Sequence, residues 1–190
     1  MNKKGFTLVE ILAVIAIIAT LSVAAVVGVN TIISKTKERT ATMAENTVAE
    51  SSISFFQKEK LYINPCTNNR GNFISISQNT IKKINDDLRT AMKDFSSNEE
   101  KYIYAKSYTN NINNNAKAKK DFNNKYLSLK SENCFKTVTV GELIDKGYMV
   151  DNENLCDKAS VIIVYQKATT NNKTGQLSSI QEAKICHSKK

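Results

Sequence analysis

Tryptophan is absent from this 190-residue chain, and proline and histidine occur once each, as Pro65 and His187. A lone histidine, the fourth residue from the end, supplies no base for a Ser-His-Asp or Cys-His arrangement. The four cysteines, Cys66, Cys134, Cys156 and Cys186, contain no C-x-x-C, which argues against zinc and thioredoxin-like sites. None of the six glycines belongs to a loop of the phosphate-cradling kind. Carboxylates gather loosely at Asp86-Asp87, Glu99-Glu100 and Asp151/Glu153/Asp157, where a calcium ion can be imagined but solvated loop charge is the simpler reading. The sequence therefore leads us to expect no enzyme, no cofactor and no metal. Breakers are scarce too: before Pro65 there is no proline, and Gly28 is the only glycine between Gly5 and Gly71. A helix beginning near the N-terminus meets little to stop it.

What is there begins with charge missing from one stretch. From Phe6 to Val29 the 24 residues hold a single ionisable side chain, Glu10. As a helix they extend about 36 Å at ~1.5 Å per residue, enough for a ~30 Å hydrocarbon core with some tilt. A carboxylate in such a segment costs roughly 2.5–3.5 kcal/mol even on the lenient insertion scale, so Glu10 should have a partner. No basic side chain in the span can serve. The candidate is an amine from elsewhere: a new N-terminus made by cutting before Phe6. An ordinary single-span anchor explains the length and the flanking Lys3 and Lys4 but not Glu10. A secretory signal peptide cut near Ser22-Val23-Ala24 must tolerate the same carboxylate and leaves the helical pattern beyond Ala24 unexplained.

The stretch Lys4-Gly5-Phe6-Thr7-Leu8-Val9-Glu10, followed by about twenty apolar residues, resembles the N-terminus of type IV prepilins and type II secretion pseudopilins. The resemblance implies that residues 1–5 are a leader and that prepilin peptidase cuts between Gly5 and Phe6 and methylates the Phe6 amine. It also implies that Glu10 pairs with the Phe6 amine of a neighbouring subunit as the filament assembles. The other partners it implies are pilin subunits, the assembly machinery and the membrane, with the N-terminus cytoplasmic and the rest outside. Lys3 and Lys4 agree with that orientation, while Lys35, Lys37 and Arg39 beyond the span weaken the charge bias. Family members often carry a proline late in the apolar half. Here Val27-Gly28 is the nearest substitute, so any melting of the helix on assembly centres on Gly28.

Beyond the span, Ala41, Ala44, Val48, Ser52, Phe55 and Tyr62 form one helical stripe, with Lys35, Arg39, Asn46, Glu50, Gln57 and Lys60 opposite. One helix is expected from Phe6 to Tyr62, ended by Asn64-Pro65, with Lys37 snorkelling from the apolar side. The expected plan is a leader (1–5), a membrane and assembly helix (6–29), its amphipathic continuation (30–62) and a globular head (63–190). Within the head, Phe73–Ser77 is ambiguous and can be a strand. Asn79–Phe95 reads as an amphipathic helix packed on the long one through Ile81, Ile84, Leu88 and Met92. Tyr102, Tyr104 and Tyr108 suit either burial or contact with a sugar or partner. Asn110–Asn115 reads as a loop and Lys117–Lys130 as a further helix. Thr139 and Glu142 have capping-box spacing, Gly147 suits the end of that short helix, and Val161–Tyr165 is strongly β-prone with Ile180–Cys186 as partner. Thr139–Cys186 weakly resembles the C-terminal part of minor pilins of Gram-positive bacteria. The fold expected is α+β: a long helix on a small antiparallel sheet, with extra helices inserted.

Four cysteines allow three pairings. If the two last strands are antiparallel, Cys156 and Cys186 fall at one end of the ladder, and Cys66 is left to clasp Cys134 across the inserted segment. The resemblance adds that a disulfide of the first kind closes the C-terminal loop of many pilins. An outside location suits both bonds. Net charge is +9, or +7 without Lys3 and Lys4 (25 basic against 18 acidic residues). That suits nucleic acid or another polyanionic surface, though charge spread over a solvated surface is the simpler reading. Three functions follow: a filament subunit, a secretion or DNA-uptake subunit with a polyanion-binding head, and an anchored or secreted enzyme with a coincidental leader.

Overall fold

A computed structural model describes residues 7–61, 64–68, 70–72, 74–150, 155–168, 175–182 and 185–186, with the backbone alone at 21–28, 168 and 175. The chain divides into two compact units, Met1–Thr40 and Ala41–Lys190. The first contains the start of α1 (Leu8–Lys58). Its described side chains are solvent-exposed, among them Leu8, Val9, Ile11, Leu12, Ile15 and Ile18. Among the described residues no helix is long and apolar enough to cross a membrane. The span expected over 6–29 lies partly outside them, at Phe6 and at the side chains of 21–28.

The second unit begins where α1 turns amphipathic. Val48, Ser52 and Phe55 of the expected stripe are buried, joined by Ser51 and Phe56, while Asn46, Glu50 and Gln57 stay exposed. α1 ends at Lys58, short of the expected Tyr62, which lies outside the described residues. The stop is a backbone motif rather than Pro65. Lys60 adopts φ 51°, the Lys60 N–H donates to Gln57 O, and the Leu61 N–H donates to Phe56 O. This pair of bonds is a Schellman motif and satisfies carbonyls that the helix end would otherwise leave unpaired.

The sheet is three-stranded and antiparallel, in the order β1 (Phe135–Thr139), β2 (Val161–Ala168), β3 (Gly175–Ile180). β2 is central, with Phe135 opposite Tyr165 and Thr139 opposite Val161 on one side, and Ile163 opposite Ile180 on the other. Two corrections follow. The partner of Val161–Tyr165 on the C-terminal side is Gly175–Ile180, not Ile180–Cys186. The strand β1 was not anticipated at all, because Phe135-Lys136-Thr137-Val138-Thr139 is too short and polar to announce itself. Nor do the described residues of 74–77 form a strand: Ser77 is the N-cap of α2 (Gln78–Ala91).

Both faces of the sheet are covered, which explains why Val161–Tyr165 is apolar without alternation. Ile162 and Val164 join Val138, Val48, Phe55, Phe56 and Leu143 in one core. Val161, Ile163 and Tyr165 join Phe135, Ile81, Ile84, Leu88, Ile112 and Phe122 in the other. The α2 stripe therefore packs on the sheet, opposite α1, and not on α1 as its periodicity alone suggested. Asn85 is buried with it and brackets the Val161 backbone, accepting from N at 2.8 Å and donating to O at 3.3 Å. The Asn-rich stretch is helical, ending α3 (Asn98–Asn114), because Ile112 is buried and the Asn113 amide has work on β1. It donates to Thr137 O and accepts from Thr137 N–H, occupying the outer edge of the strand as a neighbouring strand would. Asn115 then N-caps α4 (Ala116–Phe122), and a π-helical turn, Asn123–Leu127, follows where a longer helix was expected. Thr139 and Glu142 form the capping box of α5 (Val140–Asp145), and Gly147 takes φ 72° behind it.

Candidate assembly site at the N-terminus

At the head of α1 the Thr7 N–H and Oγ1 both donate to Glu10 Oε2, at 2.8 and 2.9 Å. The Glu10 N–H donates back to Thr7 Oγ1 at 3.3 Å. This is a capping box: each side chain satisfies a backbone donor at the start of the helix, and the carboxylate sits at the positive end of the helix dipole. The box uses one oxygen of the Glu10 carboxylate. Oε2 is held by its own helix, while Oε1 has no partner among the described residues, and both residues are exposed. An anionic acceptor fixed in one rotamer on an otherwise apolar surface suits an ammonium donor brought from outside. Thr7 was missed as a contributor, although T-x-x-E is the same spacing that marks Thr139 and Glu142. Gly5 and Phe6, the expected cleavage and methylation positions, lie outside the described residues.

The remaining candidate residues are in the head. Disulfides join Cys66 to Cys134 and Cys156 to Cys186. The second pair faces across an isolated antiparallel bridge, reinforced by the Asp157 N–H donating to Ile185 O. Four of the scattered carboxylates have a structural task. Asp86 pairs with Lys82 and Arg89, and Asp87 with Lys125 and the Tyr126 hydroxyl. Glu100 caps α3, and Asp157 accepts from Ser160. Asp151 and Glu153 lie outside the described residues. Among the described residues no group of His, Cys, Asp and Glu is placed to hold a metal.

Of the three tyrosines, Tyr102 is buried, Tyr108 is partly so, and Tyr104 is exposed. The Tyr102 hydroxyl donates to Asp145, which also accepts from Lys106 Nζ at 2.9 Å. Burial and this bond push the Tyr102 hydroxyl up to about 12, and the Tyr102 and Lys106 donors hold Asp145 below its usual range. The Tyr102 ring lies over Gly141, where an added Cβ would sit 2.3 Å from a ring carbon, so only glycine fits beneath it. Lys119 is the odd group: 5 % exposed, with its amine 5.3 Å from the Phe135 ring centre and no carboxylate bonded to it. Desolvation first, and repulsion from Lys136 second, lower its amine to about 8.

No curated protein and no solved structure matches the chain. The family model of the prokaryotic N-terminal methylation motif does match, over residues 1–26, and so takes in Gly5, Phe6, Thr7 and Glu10 together. That motif implies processing by prepilin peptidase and assembly with other pilin subunits. With it at the N-terminus and an α+β unit behind a long helix, the motif supports a prepilin of the type IV pilin and pseudopilin type.

Proposed function

We propose that this chain is a structural, non-catalytic subunit of a type IV pilus or related filament. It is made as a single-pass membrane precursor with Lys3 and Lys4 on the cytoplasmic side, cut between Gly5 and Phe6 and methylated at Phe6. It then polymerises through α1, and the head lies outside. The observation that carries this reading is the methylation motif over residues 1–26. The Thr7–Glu10 box supports the next step, in which Oε1 accepts from the Phe6 amine of a neighbouring subunit and sets axial register. The two disulfides fit an oxidising exterior. Association of such helices in lipid relies on packing and polar pairs, which gives one charged pair leverage over register.

Mass spectrometry of the mature protein from its own cells tests the processing: the chain should begin with methylated Phe6, and Gly5→Leu should leave the precursor uncut. Glu10→Ala should enter the membrane at least as well as wild type yet be depleted from sheared filaments. Assembly at the wild-type level would remove the salt bridge from the mechanism. A second reading is a secretion or DNA-uptake subunit whose head binds a polyanion. It draws on residues 116–136, a stretch with six lysines and two acidic residues, Asp121 and Glu132, and it requires an affinity that falls steeply with salt.

A further inference from the structure

In a chain of net charge +9, one groove of the head has the opposite sign. It holds about 530 Å³ between the residues that follow α2 and the first three turns of α3. Its floor is apolar: Phe95 and Tyr104 stack edge to face at 5.4 Å, and Ile103 is 58 % exposed beside them. Asp94 and Glu100 also line it. Glu100 Oε2 is committed to the capping of α3, but Asp94 has no hydrogen-bond or ion-pair partner among the described residues. An exposed branched side chain beside an unpaired carboxylate calls for a partner that is apolar and cationic at once.

The chain itself carries such a stretch. On α1, Ile32, Lys35 and Arg39 are spaced by three and four residues and so share one face. Ile32 is 66 % exposed, and Lys35 and Arg39 are exposed without a hydrogen-bond or ion-pair partner among the described residues. We propose that the groove takes the Ile32–Arg39 stretch of a second copy of the chain, with Ile32 against Ile103 and Tyr104 and the two cations at Asp94 and Glu100. Because groove and stretch are different surfaces of one chain, each copy offers both. The contact is head-to-tail, and repeated contacts of that kind run on into an open helical polymer where the rotation between copies does not close a ring. The proposal rests on the filament reading and adds to it a specific bond between one subunit's head and the next subunit's helix.

Full-length chain carrying Ile32→Cys is co-expressed with full-length chain carrying Ile103→Cys beside the native assembly machinery. The sheared surface fraction is then treated with a short bismaleimide. The native cysteines of the described pairs are bonded and do not compete. A mixed covalent dimer is expected, and neither variant alone should give it. Adding Asp94→Lys to the groove copy should lower its yield about five-fold, the scale of one ion pair at a partly exposed site. Adding Lys35→Glu and Arg39→Glu to the other copy should bring it back. Both variants present in the surface fraction without the mixed dimer, or a yield indifferent to Asp94→Lys, overturns the docking and leaves the filament reading standing. Absence of the wild-type chain from that fraction overturns the filament reading, and this contact with it.

Discussion

Lys119 shows how one residue can work against the fold that holds it. Its stem is buried beside Phe135, and its amine is lowered to about 8 by desolvation and then by Lys136, with Glu132 attracting it weakly. The unfolded chain therefore binds this proton more tightly than the folded one. Below about pH 8 both states are protonated and the penalty is fully present. Between about 8 and 10.5 the folded state has lost the proton and the unfolded state has not, so stability rises with pH across that window. Lys119→Met should stabilise the protein at pH 7 by about 1–2 kcal/mol, allowing for an amine that still reaches some solvent. The gain should shrink towards pH 10.5, the ordinary lysine value. Urea titrations of both proteins at several pH values give the answer, and a gain constant across the window would contradict the assignment.

Among the elements, the end of α1 carries the most conspicuous local cost. A lysine at φ 51° sits in the left-handed region, which β-carbon sterics disfavour and glycine enters freely. The Schellman bonds from Lys60 and Leu61 hold it there. Lys60→Gly should keep those bonds and stabilise the chain by about 0.5–1 kcal/mol, while Lys60→Val should destabilise it by at least about 1 kcal/mol. Both shifts are read from the denaturation midpoint at unchanged slope. Capping boxes start three helices, α1 itself among them: Thr7 with Glu10, Ser97 with Glu100, and Thr139 with Glu142. The repeated use of one device explains why those starts are sharp in a sequence so poor in proline.

For the whole molecule, the disulfides close loops of unequal length: Cys66 and Cys134 are 68 residues apart, Cys156 and Cys186 only 30. By loop entropy the longer bridge is worth about 4.5 kcal/mol and the shorter about 3.5. Replacing Cys66 and Cys134 together by alanine should therefore cost more stability than replacing Cys156 and Cys186 together. The longer bridge also clasps α2, α3 and α4 to the sheet, since Cys66 and Cys134 both lie in the core that those helices build. The shorter one fixes Ile185 and Cys186 to the other core. Comparative thermal melts of the two double variants rank them, and the reverse order would show that native-state packing, not chain entropy, sets their worth.

The N-terminal motif was legible in the sequence because its chemistry is local. A Gly-Phe-Thr-Leu run before a charge-free stretch, and one carboxylate that must be paired, lie within seven residues of one another. The α1 stripe at Val48, Ser52 and Phe55, the α2 stripe, and the box at Thr139 were legible for the same reason, since periodicity and capping act over three or four residues. What tertiary structure alone decided was which surface each stripe meets. Ile81, Ile84 and Leu88 announce a buried face but not whether it lies on α1 or on the sheet. The β1 strand exists because Val161–Tyr165 and the Asn113 amide flank it on its two edges. Asn110–Asn114 is helical because burial of Ile112 and the bonds to Thr137 outweigh the turn preference of asparagine. Those are contacts between residues twenty or more positions apart, and their free energy exceeds any local propensity without leaving a pattern in the sequence.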